Sequence, residues 1–154
     1  MGSEQSIDQN LVKMFETRKS LTIALLRARE ALMLSFRPML AKHNFTEQQW
    51  RVLRVLGEKG PSDAGHLAQQ ACILSPSLSR IINKLIENQF IIKELDEKDK
   101  RKIVLKISEI GMIALEKIKP EYLAILKSIQ KKFGEEKLST LLDLLSEITT
   151  WNGR

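Results

Sequence analysis

The sequence predicts a mainly α-helical chain with one small two-stranded β element, and three observations carry that expectation. Apolar residues recur at helical spacing over most of the chain. Two neighbouring segments, Phe90–Leu95 and Lys102–Ile107, are instead rich in β-branched residues. Seven Gly and four Pro in 154 residues leave little room for linkers.

Each element has its own signal. Ile7, Leu11, Met14 and Phe15 repeat at helical spacing, and a longer helix from Leu21 to about Ala41 carries Leu25, Leu32, Phe36 and Leu40 and contains Pro38. Thr46-Glu47-Gln48-Gln49 is a capping box that starts a helix with Trp50, Leu53 and Leu56 inward. Pro61-Ser62 offers another start, to a short helix with Ala64, Leu67, Ala68 and Ala71 as small contact residues. Cys72-Ile73-Leu74 is the whole link to the next helix, which opens with Ser75 as N-cap and Pro76 in the first helical position. Asp96–Arg101, with no apolar residue, turns between the two β segments. Ser108 and Gly111 begin a long helix with Leu115, Ile118, Tyr122, Leu126, Ile129 and Phe133, which Pro120 should kink. After Gly134 a last helix carries Leu138, Leu141, Leu142, Leu145 and Ile148, with Trp151 at its end.

The helix after Cys72 has two unlike faces. Leu78, Ile81, Ile82 and Leu85 share one, while Pro76, Arg80, Asn83 and Lys84 share the other. A guanidinium, an amide and an ammonium are the groups that read base edges and hold phosphates. Two helices joined by a tight turn and followed by a basic hairpin make a winged helix-turn-helix, whose wing suits the minor groove. Candidate contacts to double-stranded DNA are Ser75, Pro76, Ser77, Ser79, Arg80, Asn83 and Lys84 on the helix, with Lys98, Lys100 and Arg101 at the hairpin tip. Asp99 and Arg101 share one side of the strand, so a pair between them would stiffen the tip and leave Lys100 projecting.

Charge and composition agree. A formal charge of +6 and a pI near 9.5 suit a polyanion. The N-terminus lacks the apolar stretch of a signal peptide, and no apolar run nears the roughly eighteen residues of a membrane span. A single cysteine excludes an intrachain disulfide, and a cytoplasmic location is the simplest expectation. Cys72, flanked by Ala71, Ile73 and Leu74, reads as a small buried hydrophobe, with a redox switch as the alternative. Metal-ligand spacing, a Gly-rich phosphate loop and a nucleophile elbow are all missing, so neither an enzyme nor a cofactor is expected. Residues 46–110 then form the DNA-binding domain, and residues 1–45 and 111–154 supply helices for a homodimer that meets a pseudo-palindromic operator. The expected architecture is a winged helix-turn-helix plus a helical dimerisation domain.

Nearly the whole chain resembles the MarR family of winged-helix regulators. The wing reads Asp99-Lys100-Arg101, an apolar strand Ile103–Ile107, then Ser108-Glu109-Ile110-Gly111. Leu74-Ser75-Pro76-Ser77-Leu78-Ser79-Arg80 is similar to the family's reading helix, with Arg80 where members place a base-contacting arginine. Lys100 stands where many members carry an arginine, and lacks its planar fork. Leu25–Ala31, Phe36-Arg37-Pro38, His43–Arg51 and Ala71–Leu74 look like the branch that represses homoprotocatechuate and hydroxycinnamate catabolism. The resemblance implies a repressor released from DNA by a small aromatic acid such as a hydroxyphenylacetate or hydroxycinnamate. It also implies a ligand slot between the dimerisation helices and the winged helix, which would draw on Arg29, Ser35, Phe36, His43 and Trp50.

Overall fold

Residues 8–151 are described by the computed structural model; Ile7, expected in the first helix, lies outside them. The elements are α1 (Gln9–Phe15), α2 (Leu21–Lys42), α3 (Glu47–Lys59), α4 (Ala64–Gln70), α5 (Ser75–Glu87), β1 (Ile91–Leu95), β2 (Ile103–Ile107), α6 (Glu109–Phe133) and α7 (Glu135–Thr150). Internal contacts divide the chain into two compact units that meet at Pro38 and Met39.

The first unit contains α1 and most of α2. Asp8 caps α1 by accepting from Asn10 N at 2.8 Å, yet no residue of α1 is buried and Phe15 is 92% exposed. Along α2, Glu30 takes both Arg29 and Arg37 as ion-pair partners.

The second unit builds its core from α3, α4, α5 and the hairpin. Leu53, Leu56, Leu67, Leu85 and Ile91 are essentially sealed from water, each worth about 1.5–3 kcal/mol of burial. α3 starts at the expected capping box, with Gln49 N on Thr46 Oγ1 at 3.1 Å and Thr46 N on Gln49 Oε1 at 3.0 Å. β1 and β2 pair antiparallel from Ile91–Ile107 to Leu95–Ile103. Ser108 Oγ caps α6 at Gly111 N, and α6 runs through Pro120 as one helix, which forgoes the bond a residue there would donate to the Glu116 carbonyl.

Two expected helix starts move. Ser62 begins no helix: it bridges to Leu105 through Ser62 N–Leu105 O at 3.0 Å and Leu105 N–Ser62 O at 2.8 Å. Asp63, one residue later, takes the cap of α4 by accepting from His66 N. Ser75 does not cap α5 either. The first helical carbonyl is that of Leu74, which accepts from Leu78 N at 3.1 Å, so Ser75 sits inside the first turn and its side chain makes no cap bond.

One ending recurs three times. The pairs Phe45 N–Leu40 O with Asn44 N–Ala41 O, Ile73 N–Ala68 O with Cys72 N–Gln69 O, and Phe90 N–Leu85 O with Gln89 N–Ile86 O are Schellman motifs closing α2, α4 and α5. Asn44, Cys72 and Gln89 occupy the left-handed position at φ 61°, 51° and 62°, where glycine is usual.

Candidate functional site

The tight turn after α4 delivers α5 with its apolar face down and its polar face open. Leu78, Ile81, Ile82 and Leu85 are buried; Ser75, Pro76, Ser77, Ser79, Arg80, Asn83 and Lys84 are all exposed. Arg80, Asn83 and Lys84 line a cleft of about 580 Å3, whose other wall is Thr46, Gln48 and Gln49 from the start of α3. Glu87 also lines it and holds Lys84 at 3.0 Å. Gln48 was not singled out from the sequence, because only the packing of α3 beside α5 brings it there.

The hairpin tip is organised by its own carboxylates. Asp96 Oδ1 accepts from Lys98 N and Asp99 N, both at 2.8 Å, and these two bonds hold its carboxyl below the usual carboxylate range. Asp99 Oδ1 accepts from Arg101 N at 3.1 Å and from Arg101 Nε at 3.3 Å, the pair expected from their spacing. Lys98, Lys100 and Arg101 remain exposed around this frame.

A second feature lies between α3 and α6. Trp50, Arg54 and Tyr122 border a pocket of about 420 Å3, with Met112, Leu115, Leu123 and Leu126 as apolar walls and Glu58, Glu116 and Lys119 as its other charged lining. The Arg54 guanidinium lies 4.9 Å from the Tyr122 ring centroid and donates from Nη1 to the phenol oxygen at 2.9 Å. The rings of Trp50 and Tyr122 are 5.8 Å apart. Trp50 Nε1 is buried without a hydrogen-bond partner among the described residues. A fixed cation, an unused N–H and apolar walls suit a flat apolar body that ends in a carboxylate.

Of the five ligand contacts implied by resemblance, Trp50 lines this pocket. His43 lines a different groove, with Phe45, Phe90 and Lys117. Its Nε2 is 2.9 Å from Glu121 Oε1, and Lys42 Nζ lies 3.1 Å from both carboxylate oxygens. Those contacts, His43 first, hold the Glu121 carboxyl below its ordinary range. Arg29, Ser35 and Phe36 belong to α2 in the first unit, where Arg29 is ion-paired, Ser35 exposed and Phe36 buried. Arg54 and Tyr122 were missed, although Trp50 and Arg54 stand one helical turn apart, a spacing that puts them on one face.

Cys72 is exposed rather than buried, because the left-handed position turns its side chain off the α4 face. What Arg51 Nη1 reaches is the Cys72 carbonyl, at 3.2 Å. Among the described residues no cluster of His, Cys, Asp or Glu could hold a metal, and no helix is long and apolar enough to cross a membrane.

A helix-turn-helix with an exposed polar second helix and a basic hairpin defines a winged-helix DNA-binding protein. Residues 45–103 match the MarR family. The HTH-type transcriptional regulator FarR of Neisseria gonorrhoeae is 41% identical over 129 residues, covering 84% of this chain and 88% of FarR. The homoprotocatechuate degradative operon repressor of Escherichia coli is 38% identical over 128 residues, 83% of this chain and 86% of the repressor. The crystal structure of NadR in complex with 4-hydroxyphenylacetate superposes with a TM-score of 0.78 at 40% identity, covering 84% of this chain and 95% of that one. The chain therefore belongs to the MarR family. These relatives lend no support to the alternative of a redox switch at Cys72.

Proposed function

We propose that the chain is a homodimeric transcriptional repressor of aromatic-acid catabolic genes. A phenolic carboxylate, such as a hydroxyphenylacetate or a hydroxycinnamate, releases it from a pseudo-palindromic operator. The pocket between α3 and α6 carries the effector half of this reading: Arg54 and the unpartnered Trp50 Nε1 take the carboxylate, and the apolar walls take the ring. The names of two relatives, a homoprotocatechuate operon repressor and a NadR complex with 4-hydroxyphenylacetate, support the same ligand class.

Residues 46–110 act on DNA, and residues 1–45 and 111–154 serve dimerisation. Arg80, Asn83, Ser77 and Ser79 read major-groove edges, with Ser75 and Pro76 at the helix start beside the backbone. Lys84, Lys98, Lys100 and Arg101 serve phosphates and the minor groove. Two such helices must stand about 34–36 Å apart to enter successive half-sites. The acid derepresses by binding a spacing that does not fit DNA, and a coupling of about 1–3 kcal/mol weakens the operator complex about 5- to 150-fold. No catalytic step or cofactor falls to the chain, and its place of action is the cytoplasm.

The test is fluorescence anisotropy on DNA from upstream of its own gene, with a panel of hydroxyphenylacetates, hydroxybenzoates and hydroxycinnamates. Weakening by one class is expected; indifference to the whole panel overturns the effector half. Arg54→Met is expected to bind the operator normally while its affinity for the acid falls about 10- to 100-fold, the loss of a charge-assisted bond.

A further inference from the structure

The α3 helix lines both the pocket and the cleft. Trp50 and Arg54 border the pocket, Gln48 and Gln49 line the cleft beside Arg80 and Asn83, and between these sits Arg51. Its Nη1 donates at 3.2 Å to the carbonyl of Cys72, in the turn of the helix-turn-helix. Cys72 holds the left-handed position at φ 51°, which costs an L-residue more than it costs glycine. Such a conformation persists where its surroundings over-determine it, and the Arg51 bond is one of those constraints. Only Ile73 and Leu74 separate this carbonyl from α5.

We propose that Arg51 is the positioning residue that couples the pocket to the recognition helix. The inference rests on the effector reading above. Apolar contacts between α3 and α5 tolerate small slides, whereas a hydrogen bond already at 3.2 Å weakens steeply when stretched or bent. A ligand that draws Trp50 and Arg54 toward its carboxylate moves α3 and strips the Cys72 carbonyl of its donor. The turn relaxes, and α5 loses the orientation that fits the groove. Arg51 Nε is shielded from water with no partner among the described residues, so the Nη1 bond to Cys72 is what ties this guanidinium to the turn.

The experiment uses the full-length protein, operator DNA and 4-hydroxyphenylacetate. Arg51→Met keeps an apolar stem and removes the donors. It is expected to bind the acid within about 2-fold of wild type by calorimetry, while the acid's effect on operator affinity drops from the range of about 5- to 150-fold to below about 3-fold. Retention of the wild-type effect in Arg51→Met overturns the coupling role and leaves the effector reading standing. A wild-type protein that neither binds nor responds to the acid overturns the effector reading, and this inference with it. Hydrogen exchange on the wild-type protein gives a readout that does not depend on how the variant folds. The amides of residues 72–75, 77 and 78 are expected to exchange faster with the acid bound, and unchanged exchange counts against the coupling.

Discussion

A Cβ built on Gly111 would lie 2.3 Å from the Phe90 carbonyl oxygen and 2.7 Å from Ile107 Cγ1. The first turn of α6 therefore seats against the chain entering β1 only because residue 111 lacks a side chain. The backbone oxygen has nowhere to go, so Gly111→Ala is expected to cost about 1–3 kcal/mol in urea denaturation. Gly57 makes the contrasting case. Its added Cβ would meet Leu115 Cδ1 at 2.5 Å, the end of a side chain that can turn away. Gly57→Ala is expected to cost less in the same assay but to weaken the acid response, because both residues line the pocket. Neither glycine has a positive φ, so the need for glycine is set by what packs against each one rather than by its backbone conformation.

At the scale of elements, α5 and the wing divide the work of binding DNA. Arg80→Ala is expected to cost about 1–3 kcal/mol at the operator and to relax base preference, whereas Lys98→Ala weakens all sequences alike and lowers the salt slope by about 1. Salt-titrated anisotropy on operator and scrambled DNA separates the two. The wing tip depends on pH through Asp96. Its carboxyl is held low by the backbone N–H groups of Asp99 and Lys98, so the charged form is favoured in the fold. Its contribution is present above the unfolded-state pKa and lost as pH falls through the lower folded one. Protection of the Lys98 and Asp99 amides, relative to the unfolded chain at the same pH, is therefore expected to hold from neutrality down through the ordinary carboxylate range and to fall only below it. Asp96→Ala is expected to show the lower protection at every pH. Much of this was legible beforehand: the two faces of α5, the capping box at Thr46 and the Asp99–Arg101 pair all follow from spacing. The starts of α4 and α5 were not, because Ser62 is recruited by the edge of β2 and the Leu74 carbonyl opens α5.

For the molecule as a whole, the apolar side chains of α7 are what call for a partner. That helix packs along α6 yet has no buried residue; Leu141, Leu142, Leu144 and Ile148 are 40–66% exposed. A row of this kind left in water forfeits most of the burial that drives folding, so a second copy of the chain is its expected cover. Leu142→Glu is expected to shift sedimentation from dimer toward monomer and to weaken operator binding by removing the second half-site contact. A variant that stays dimeric at micromolar concentration would place the interface elsewhere.

Patterns of period 3.6 and 2 and of charge were enough by themselves to place the helices, the hairpin and the polar face of α5, though not the starts of α4 and α5, because each pattern is written in residues that are neighbours along the chain. The pocket was decided by tertiary structure alone. Trp50 and Arg54 lie 68 or more residues from Tyr122, and nothing local to either segment shows that one guanidinium will rest on that ring. The turn at Cys72 divides in the same way. Its position between two helices is legible in sequence, but its exposure follows from the left-handed backbone there, and its bond to Arg51 exists only because α3 packs against the turn.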